Sequence, residues 1–327
     1  MSDSAATQTT SKIEPGASPS PAELTVVVVS WNTRELTLRC LETLFDTTPD
    51  VSMWVIVADN NSADGSADAI AARFPQVRLI RNRENLGFAR ANNEAIKWVD
   101  SEWLLLLNPD TEVHPNAIKA LLAFSKQHPE AGITGGRTVF PDGSLNMASC
   151  WNKMSSWSLF CSFTGLSRVF SRTTLFNPEA IGGWKRDSVR HVDIVVGCFL
   201  MIQPALWKRL GGFDPRYFMF GDDADLCLRA AALGYRPMIT PDAQIMHRVG
   251  ASSPKPVKML QLWRAKATLV RGHWPKLLAP IGLGELWLCC ATRSLGAAML
   301  GKLSGRSSRY DVWREMCAKR HDWLKGY

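Results

Sequence analysis

The chain has 327 residues, and its hydrophobic content of 46% is enough for one large domain or two modest ones. Its net charge of +8 is concentrated in residues 254–327, which contain 14 Lys and Arg against 4 Asp and Glu. Residues 1–253 hold 24 basic against 26 acidic side chains. This slightly acidic body argues against nucleic acid as a partner, and the basic tail is expected to have a different role from the body.

The N-terminal composition and the cysteines both indicate a reducing cytosol. Residues 1–22 are rich in Ser, Thr, Ala and Pro without an apolar run, which predicts a disordered leader rather than a signal peptide. The eight cysteines form no CxxC pair, and only Cys289 and Cys290 are adjacent. This spacing fits neither a zinc site nor a disulfide framework, so we expect reduced, mostly buried thiols.

Residues 24–127 alternate between continuous apolar, β-branched runs and segments with helical spacing. The strand-like runs are 24–32, 53–62, 77–82 and 103–107, and the helical segments are 33–46, 64–73, 88–99 and 115–127. Such strands suit a parallel sheet covered by helices on both faces, so the alternation predicts a doubly wound α/β sheet. Pro115 is expected in the first turn of the last helix, where its missing N–H has no cost.

The pattern changes after residue 128. Residues 132–144 are glycine-rich and predicted to be extended, whereas 145–190 have no clear period and suggest a flexible or substrate-facing segment. The pattern then predicts four elements in order. They are a strand at 192–202, a short helix at 204–210, a helix from about 223 to Gly234, and two short strands within 235–250.

Polar clusters follow three of the predicted strands. They are Ser30-Trp31-Asn32, Asp59-Asn60-Asn61-Ser62 and Asn108-Pro109-Asp110. Ligands of doubly wound sheets bind at the carboxyl ends of the strands, so these clusters mark the expected site. The apolar run "LLLL" buries the last of these strands, and the turn that follows carries Asp110 to the crevice.

Asp110 has two interpretations. It can be a loop carboxylate that interacts with the dipole of the next helix. Asp59 stands at the equivalent place on another strand, however, and the acidic cluster Asp222-Asp223-x-Asp225 lies downstream. Carboxylates that converge on one crevice repel one another unless a cation or a cationic ligand is present. Oxygen ligands of this kind select Mg²⁺ or Mn²⁺.

The downstream acidic pair and His247 also have two interpretations each. Asp222 and Asp223 can serve as a helix cap and a first-turn anion, but a pair exceeds what capping requires. The preceding apolar "YFMF" predicts a raised pKa, which suits a general base. His247, after "AQIM", can be a buried histidine with its hydrogen bonds satisfied or a ligand.

An ordered set of motifs resembles the family 2 glycosyltransferases with the GT-A fold. The motifs are VVVVSWN, VADNNSADGS, NLGFARANNEAI, LLLLNPDTEV, GGFDPRYFMFGDDADLCLRAAALGY and IMHRVGASS. The stretches PDGSLNMAS, GGW and VDIVVGCFLMI narrow the resemblance to the rhamnosyltransferase-like branch of bacterial O-antigen and cell-wall assembly. The resemblance covers about Leu24 to Ser253. Each motif alone is weak, but their combination in this order is specific.

The resemblance implies roles for particular residues. Asp59 resembles the Asp that hydrogen-bonds the nucleotide base. Asp110 is the last position of the DxD motif and would bind the metal, Asn108 replaces its first Asp, and His247 resembles a second metal ligand. Loss of one anionic ligand lowers the expected affinity for metal. The nucleotide-sugar donor is expected to contact Ser30, Asn32, Asp59, Asn61, Ser62, Gly87, Arg90, Asn92 and Asn108.

The resemblance also implies a mechanism. Asp223 matches the base of the Glu-Asp-x-Asp motif, and Asp222 holds the usual Glu place. Mg²⁺ or Mn²⁺ would neutralise the leaving diphosphate, and a single displacement would invert the anomeric centre. The implied donor is a dTDP- or UDP-sugar, with rhamnose as a candidate sugar. The implied acceptor is a glycan or a lipid-linked glycan.

We therefore expect an α/β fold with a GT-A doubly wound mixed sheet in residues 23–253 and a C-terminal helical basic extension in 254–327. The sheet domain would divide into a nucleotide-sugar half (23–128) and an acceptor half (129–253).

The extension contains an apolar stretch at 276–300 that Pro280, Glu285 and Arg293 interrupt. It can be a spanning helix, an interfacial segment on an anionic membrane, or a helical subdomain packed on the sheet. Five tryptophans scattered among cations favour the interfacial interpretation: Trp263, Trp274, Trp287, Trp313 and Trp323. The protein is then expected to be cytoplasmic and peripheral on the inner face of the cell membrane.

Two other functions fit the sequence less well. A sugar-1-phosphate nucleotidyltransferase would carry a glycine-rich loop with Arg and Lys after the first strand, where this chain has "SWNTREL". A non-enzymatic basic membrane-binding module is compatible with the tail but leaves the three acidic strand-end clusters without a purpose.

Overall fold

The structure is a computed structural model that describes residues 12–13, 22–248, 255–304 and 311–327. The expected leader lies outside the described residues except for Lys12, Ile13 and Ala22, and so does the expected boundary at residues 253 and 254.

Eleven of the strands in the described residues form one mixed sheet, and β9 and β11 form a separate pair. The strands are β1 (Lys12–Ile13), β2 (Ala22–Ser30), β3 (Met53–Asp59), β4 (Arg78–Arg81), β5 (Ser101–Leu107), β6 (Thr111–Val113), β7 (Ile133–Val139), β8 (Leu145–Asn146), β9 (Cys150–Trp151), β10 (Arg190–His191), β11 (Ile194–Val195), β12 (Phe199–Ile202) and β13 (Met238–His247).

The α-helices of the same residues surround this sheet and continue into the C-terminal extension. They are α1 (Arg34–Thr47), α2 (Ser66–Arg73), α3 (Gly87–Ile96), α4 (Ala117–Gln127), α5 (Ser156–Phe163), α6 (Leu166–Val169), α7 (Pro204–Leu210), α8 (Asp222–Ala232), α9 (Lys255–His273), α10 (Ala279–Ser304), α11 (Asp311–Ala318) and α12 (Arg320–Leu324).

The order of the strands in the sheet indicates where a ligand-binding site should lie. Strands β4, β3, β2 and β5 lie side by side and are parallel, with β2 between β3 and β5. Chain order therefore reverses at β2, and ligands of open α/β sheets bind at the carboxyl ends of the strands at such a switch point. On the far side of β5, β12 runs antiparallel and joins β7 and then β13.

Both faces of β2 are buried, which explains its unbroken apolar run. Val27 and Val29 face a core that α3, α7 and α8 cover. Val26 and Val28 face the opposite core, under α1, α2 and α4. Because successive side chains of a strand point to opposite faces, a strand covered on both sides must be apolar throughout.

Three element predictions were wrong in detail. Helix α4 begins at Ala117 after Asn116 in a left-handed conformation (φ 63°), so Pro115 precedes the helix instead of occupying its first turn. The stretch 192–202 forms β11 and β12 in different sheets. Residues 238–247 form one strand with a register shift, where two strands were expected, because the irregularity keeps both parts paired with β7.

The segment without clear periodicity, 145–190, contains α5, α6 and short strands, and Arg186 connects its parts. This side chain is fully buried and donates hydrogen bonds to the carbonyls of Trp184, Ala180 and Cys150 at 3.0, 2.9 and 3.3 Å. Burial lowers the pKa of the Arg186 guanidinium. The segment is held by contacts between distant residues, which local periodicity does not report.

The C-terminal extension packs against the sheet domain. Ala265 and Leu269 of α9 belong to the core that α8 also covers. A second core joins α5 to the extension and includes the buried Trp263 and Trp323. Among the described helices, none combines the length and apolarity needed to cross a membrane. All eight cysteines are free thiols, and seven are buried.

Candidate active site

The loops after β2 and β3 are joined to each other at the carboxyl edge of the sheet. The backbone N–H of Asn32 donates to the Ser62 hydroxyl at 2.9 Å, and the Asn32 amide oxygen accepts from the Ala63 N–H at 2.8 Å. Asn32 and Asn61 both have left-handed backbone conformations, with φ of 52° and 61°. Asparagine tolerates this conformation better than most residues, which accounts for its use in both turns.

Asp59 is buried beneath these turns. Its Oδ2 accepts a hydrogen bond from the Ser62 N–H at 2.9 Å. Its Oδ1 is buried and has no hydrogen-bond partner among the described residues. A buried acceptor without a donor costs about 1–3 kcal/mol. This oxygen is therefore suited to accept a hydrogen bond from a ligand.

An asparagine cluster that the sequence reasoning missed supports the same turns. The Asn82 amide donates to Asn60 at 2.8 Å, and the Asn60 amide donates to Asn85 at 3.3 Å and to the Gly87 carbonyl at 3.1 Å. The Asn85 amide oxygen accepts from the Gly87 N–H at 2.9 Å. The motifs "DNNS" and "NRENLG" could have predicted this cluster, because three asparagines close to neighbouring strand ends indicate a polar network.

Gly87 and Arg90 lie where residues 23–128 meet residues 129–253. Gly87 has φ 76°, and a Cβ there would lie 2.4 Å from the Phe218 carbonyl oxygen, so only glycine fits. Arg90 donates from Nε to the Pro215 carbonyl at 3.1 Å. Both residues therefore contact the segment that precedes α8.

Two of the expected donor-binding side chains point away from the crevice. The buried Ser30 hydroxyl contacts the hydroxyls of Thr33 and Thr37, at 3.2 and 3.0 Å. The buried Asn92 amide donates to the Phe88 carbonyl of its own helix at 2.9 Å. Both side chains bond to groups of the protein itself, as buried polar groups usually do, and a contact of either residue with the donor stays a prediction.

Asp110 and His247 meet although they are far apart in sequence. Strand β6, which follows the Asn108-Pro109-Asp110 turn, pairs with β13, with Thr111 opposite His247. His247 Nε2 lies 3.2 Å from Asp110 Oδ1. Burial opposes the charged imidazole, but the Cys198 sulfur and the Asp110 carboxylate outweigh burial and raise the pKa of His247 to about 10. The backbone of Asn108 donates to the Cys198 carbonyl at 3.1 Å.

This pair fits a divalent cation that a ligand helps to hold. Asp110 Oδ1 and His247 Nε2 approach each other closely enough for one cation to contact both, and such a cation would take the place of the proton that the raised pKa keeps on His247. Mg²⁺ and Mn²⁺ sites commonly use one or two protein donors and complete their shell with phosphate oxygens and water. No group of three or more His, Cys, Asp or Glu in the described part of the chain could hold a metal. Asp110 and His247 are the two metal ligands that the resemblance implies, and their role stays a prediction.

Asp222 and Asp223 begin α8 and differ in their contacts. Asp223 is partly exposed, and it accepts hydrogen bonds from the Gly197 N–H at 3.0 Å and the Ala224 N–H at 2.7 Å. Asp222 is 3% exposed, and its Oδ2 has no partner among the described residues. Burial raises the pKa of Asp223, and burial together with the Asp223 charge raises the pKa of Asp222 well above its usual range.

The pair Gly197-Cys198, before β12, connects the two halves of the site, and sequence reasoning missed it. Gly197 bonds to Asp223, and Cys198 bonds to the backbone of Asn108 and contacts His247. A cavity of about 180 Å³ opens beside Asp110. Through Gly197 and Cys198, Asp223 and the Asp110–His247 pair thus contact the same short loop.

The chain resembles sugar-transferring enzymes in three comparisons. The model of the family "Glycosyl transferase family 2" matches residues 25–193. N-acetylglucosaminyl-diphospho-decaprenol L-rhamnosyltransferase of Mycobacterium tuberculosis is 32% identical over 214 residues, which cover 61% of this chain and 67% of that protein. Rhamnosyltransferase WbbL of Escherichia coli K12 is 24% identical over 189 residues, 56% of this chain and 68% of that protein.

A solved structure resembles the whole fold. It is the mannosyltransferase PcManGT from Pyrobaculum calidifontis in complex with GDP-Man and Mn²⁺. The TM-score is 0.54 at 19% identity, and the match covers 95% of this chain and 88% of that chain. The likeness concerns the fold alone, and it confirms the GT-A architecture expected from the sequence.

Proposed function

The chain belongs to glycosyl transferase family 2 and is a glycosyltransferase, and from this premise we propose that it moves a sugar from a nucleoside-diphosphate donor to an acceptor hydroxyl with inversion. Rhamnose is the proposed sugar, because two relatives bear the name rhamnosyltransferase. The proposed donor is a dTDP- or UDP-sugar. Residues 23–128 would bind this donor, and residues 129–253 would bind the acceptor.

Donor binding is assigned to the strand-end turns. The free Oδ1 of Asp59 would accept a hydrogen bond from the base, and the joined turns of Asn32, Asn61 and Ser62 would shape the surrounding wall. Asn108, Gly87 and Arg90 would line the sugar and phosphate end. Asp110 and His247 would hold Mg²⁺ or Mn²⁺, which when bound neutralises charge on the diphosphate.

The base is assigned to Asp223. The acceptor hydroxyl oxygen attacks the anomeric carbon as the bond to the diphosphate breaks. Asp223 takes the hydroxyl proton, and the nucleoside diphosphate leaves with the electron pair of the broken bond. Hydrogen bonds from Gly197 and Ala224 orient the carboxylate. Its raised pKa makes it a stronger base than a solvent-exposed aspartate.

We propose a lipid-linked glycan as the acceptor, because one relative is named for a diphospho-decaprenol substrate. The protein would then work at the inner face of the cell membrane. Helix α10 supports this, because Ile281, Leu288 and Leu295 leave an exposed apolar row along it. The free thiols favour a cytoplasmic location.

The contact between Asp110 and His247 carries the metal-assisted part of the proposal. Calorimetry with dTDP and UDP, in Mn²⁺, Mg²⁺ or EDTA, tests it. Binding is expected to weaken about tenfold or more in EDTA and in Asp110→Asn. Asp50→Asn serves as the control, because Asp50 is an exposed carboxylate that pairs at the surface with Lys119, at 3.7 Å. Wild-type nucleotide affinity that is equal in Mn²⁺ and EDTA would refute the metal role.

A further inference from the structure

The segment Tyr217–Gly221, which leads into Asp222 and Asp223, has a disfavoured backbone. Phe220 has φ 68° and Gly221 has φ 83°, so two consecutive residues are left-handed. A residue with a Cβ adopts this conformation only when its surroundings impose it. Something outside the segment must therefore hold it in place.

Tyr327 of the extension makes the closest contact with this segment. Its hydroxyl donates to the Met219 carbonyl at 2.6 Å, and its ring packs edge-on against Tyr217 with 5.6 Å between ring centroids. The backbone N–H of Tyr327 donates to the Thr268 hydroxyl of α9 at 2.8 Å. Burial raises the pKa of the Tyr327 phenol to about 12, so the hydroxyl stays a donor at neutral pH. Tyr327 therefore connects α9 to the segment.

Helix α9 itself contacts the segment and α8 at two further points. A Cβ on Gly221 would lie 2.9 Å from the Ala265 Cβ, so α9 leaves room for glycine only. His273 Nε2 lies 2.8 Å from Asp225 Oδ1, and Asp225 also accepts a hydrogen bond from Arg229. The extension thus contacts both the residues before Asp222 and the first turn after Asp223.

The held segment also contacts the donor half. The Phe218 carbonyl accepts from the Phe88 N–H at 2.9 Å, beside Gly87. The Gly221 carbonyl accepts from the Asp225 N–H at 2.8 Å in the first turn of α8. A shift of Met219 would therefore be transmitted to the helix start that carries Asp223.

We propose that the helical extension positions the general base, with Tyr327 fixing the segment Tyr217–Gly221 and thereby the orientation of Asp223. Tyr327 is a positioning residue, since it acts through the Met219 backbone. The inference rests on the proposed function of Asp223 as base. It assigns the extension a role in catalysis in addition to any role at a membrane.

The test is Tyr327→Phe, which removes only the hydroxyl, with Tyr235→Phe as the matched control at the other end of α8. Hydrogen exchange at the amides of Phe88, Gly197 and Asp225 reports whether the segment and its contacts loosen. Steady-state kinetics report the effect on the reaction. We expect exchange at these amides to accelerate about tenfold, kcat to fall about tenfold and the donor KM to stay within about twofold.

The outcomes separate the two levels of the inference. Exchange in Tyr327→Phe equal to that in Tyr235→Phe overturns the proposal, and so does faster exchange with unchanged kcat. If the wild type transfers no sugar but the exchange difference is present, the proposed function fails while the fixing of the segment stands. A second variant, His273→Ala, is expected to loosen α8 in the same way, with the exposed His321→Ala as its control.

Discussion

At the scale of residues, Asp222 and Asp223 show how adjacent carboxylates acquire different properties. Two backbone N–H groups bond to Asp223 and orient it, whereas Asp222 keeps one buried oxygen that no described residue contacts by a hydrogen bond. An oriented, partly exposed carboxylate can reach a substrate. For Asp222, burial and the missing hydrogen bond disfavour the charged form of the carboxylate.

Asp223→Asn is expected to lower turnover by about 10² or more, because an amide cannot accept the proton of the acceptor hydroxyl. Donor binding should stay near the wild-type value, since the substitution keeps the size of the side chain. Asp222→Asn should reduce turnover less. Steady-state kinetics of both variants provide the measurement. The reverse order would move the base to Asp222, and near-full activity in both would refute a base in this pair.

Asp222→Asn is also expected to stabilise the fold at neutral pH. Because the folded pKa of Asp222 is raised, the stabilisation by its proton is complete below the unfolded pKa of about 3.9 and is lost as pH rises through the folded pKa. Asparagine avoids that loss, which amounts to about 1.4 kcal/mol per unit of pKa elevation. Melting temperatures should therefore differ at pH 7 and converge towards pH 4. A difference that is constant with pH would contradict this account.

At the scale of elements, α10 presents an unusual surface for a helix of a folded domain. Ile281, Leu288 and Leu295 recur every two turns on one face, with exposed fractions of 53%, 36% and 64%. The opposite face is buried and includes Leu286 and Cys290. The helix is thus apolar on both its packed and its exposed side, in a part of the chain with a large basic excess.

Replacing Ile281, Leu288 and Leu295 together with serine is expected to reduce binding to anionic liposomes about tenfold or more, because each side chain contributes apolar area to an interfacial helix. Co-sedimentation at low salt measures the effect. Val189→Ser with Leu233→Ser is the control, since both are exposed apolar residues of the sheet domain. If the wild-type protein does not sediment with the liposomes, the proposed binding to the membrane surface is refuted.

At the scale of the whole molecule, the extension and the sheet domain share one core. Ala265 and Leu269 of α9 pack in the same cluster as Ile56 and Leu104 of the sheet. Tyr327 also packs against this cluster. Removing the extension would therefore expose apolar surface of the sheet domain.

A chain ending at residue 253 is expected to melt well below the full chain or to aggregate, because burial of each large apolar side chain contributes about 1.5–3 kcal/mol. The comparison is a chain that starts at Ala22, which among the described residues loses the two-residue pairing of β1 with β4. Thermal unfolding of both chains measures the difference. An unchanged melting temperature after loss of the extension would contradict a shared core and would weaken the positioning role of Tyr327.

The sequence alone determined the alternation of strands and helices from 24 to 127 and the carboxyl edge as the place of the polar clusters, whereas the GT-A architecture was implied by the family resemblance. These follow from local patterns, because burial on both faces dictates apolar strands and parallel topology brings strand ends together. Residue types at those ends then indicated Asp59 and Asp110 as candidates, and the acidic pair before a predicted helix, with its match to the family motif, indicated Asp223. The motif order indicated the family for the same reason, since each motif lies within a short stretch of chain.

Only the tertiary structure decided which of these side chains face the crevice and what holds them. Ser30 and Asn92 bond inward, Asp110 meets His247 across paired strands, and Tyr327 reaches Met219. Each contact depends on strand register, on helix packing or on the direction in which a side chain points. These are set by the tertiary structure and not by the local sequence. Local periodicity carries no information on such contacts, because it reports only which residues are buried and not what they touch.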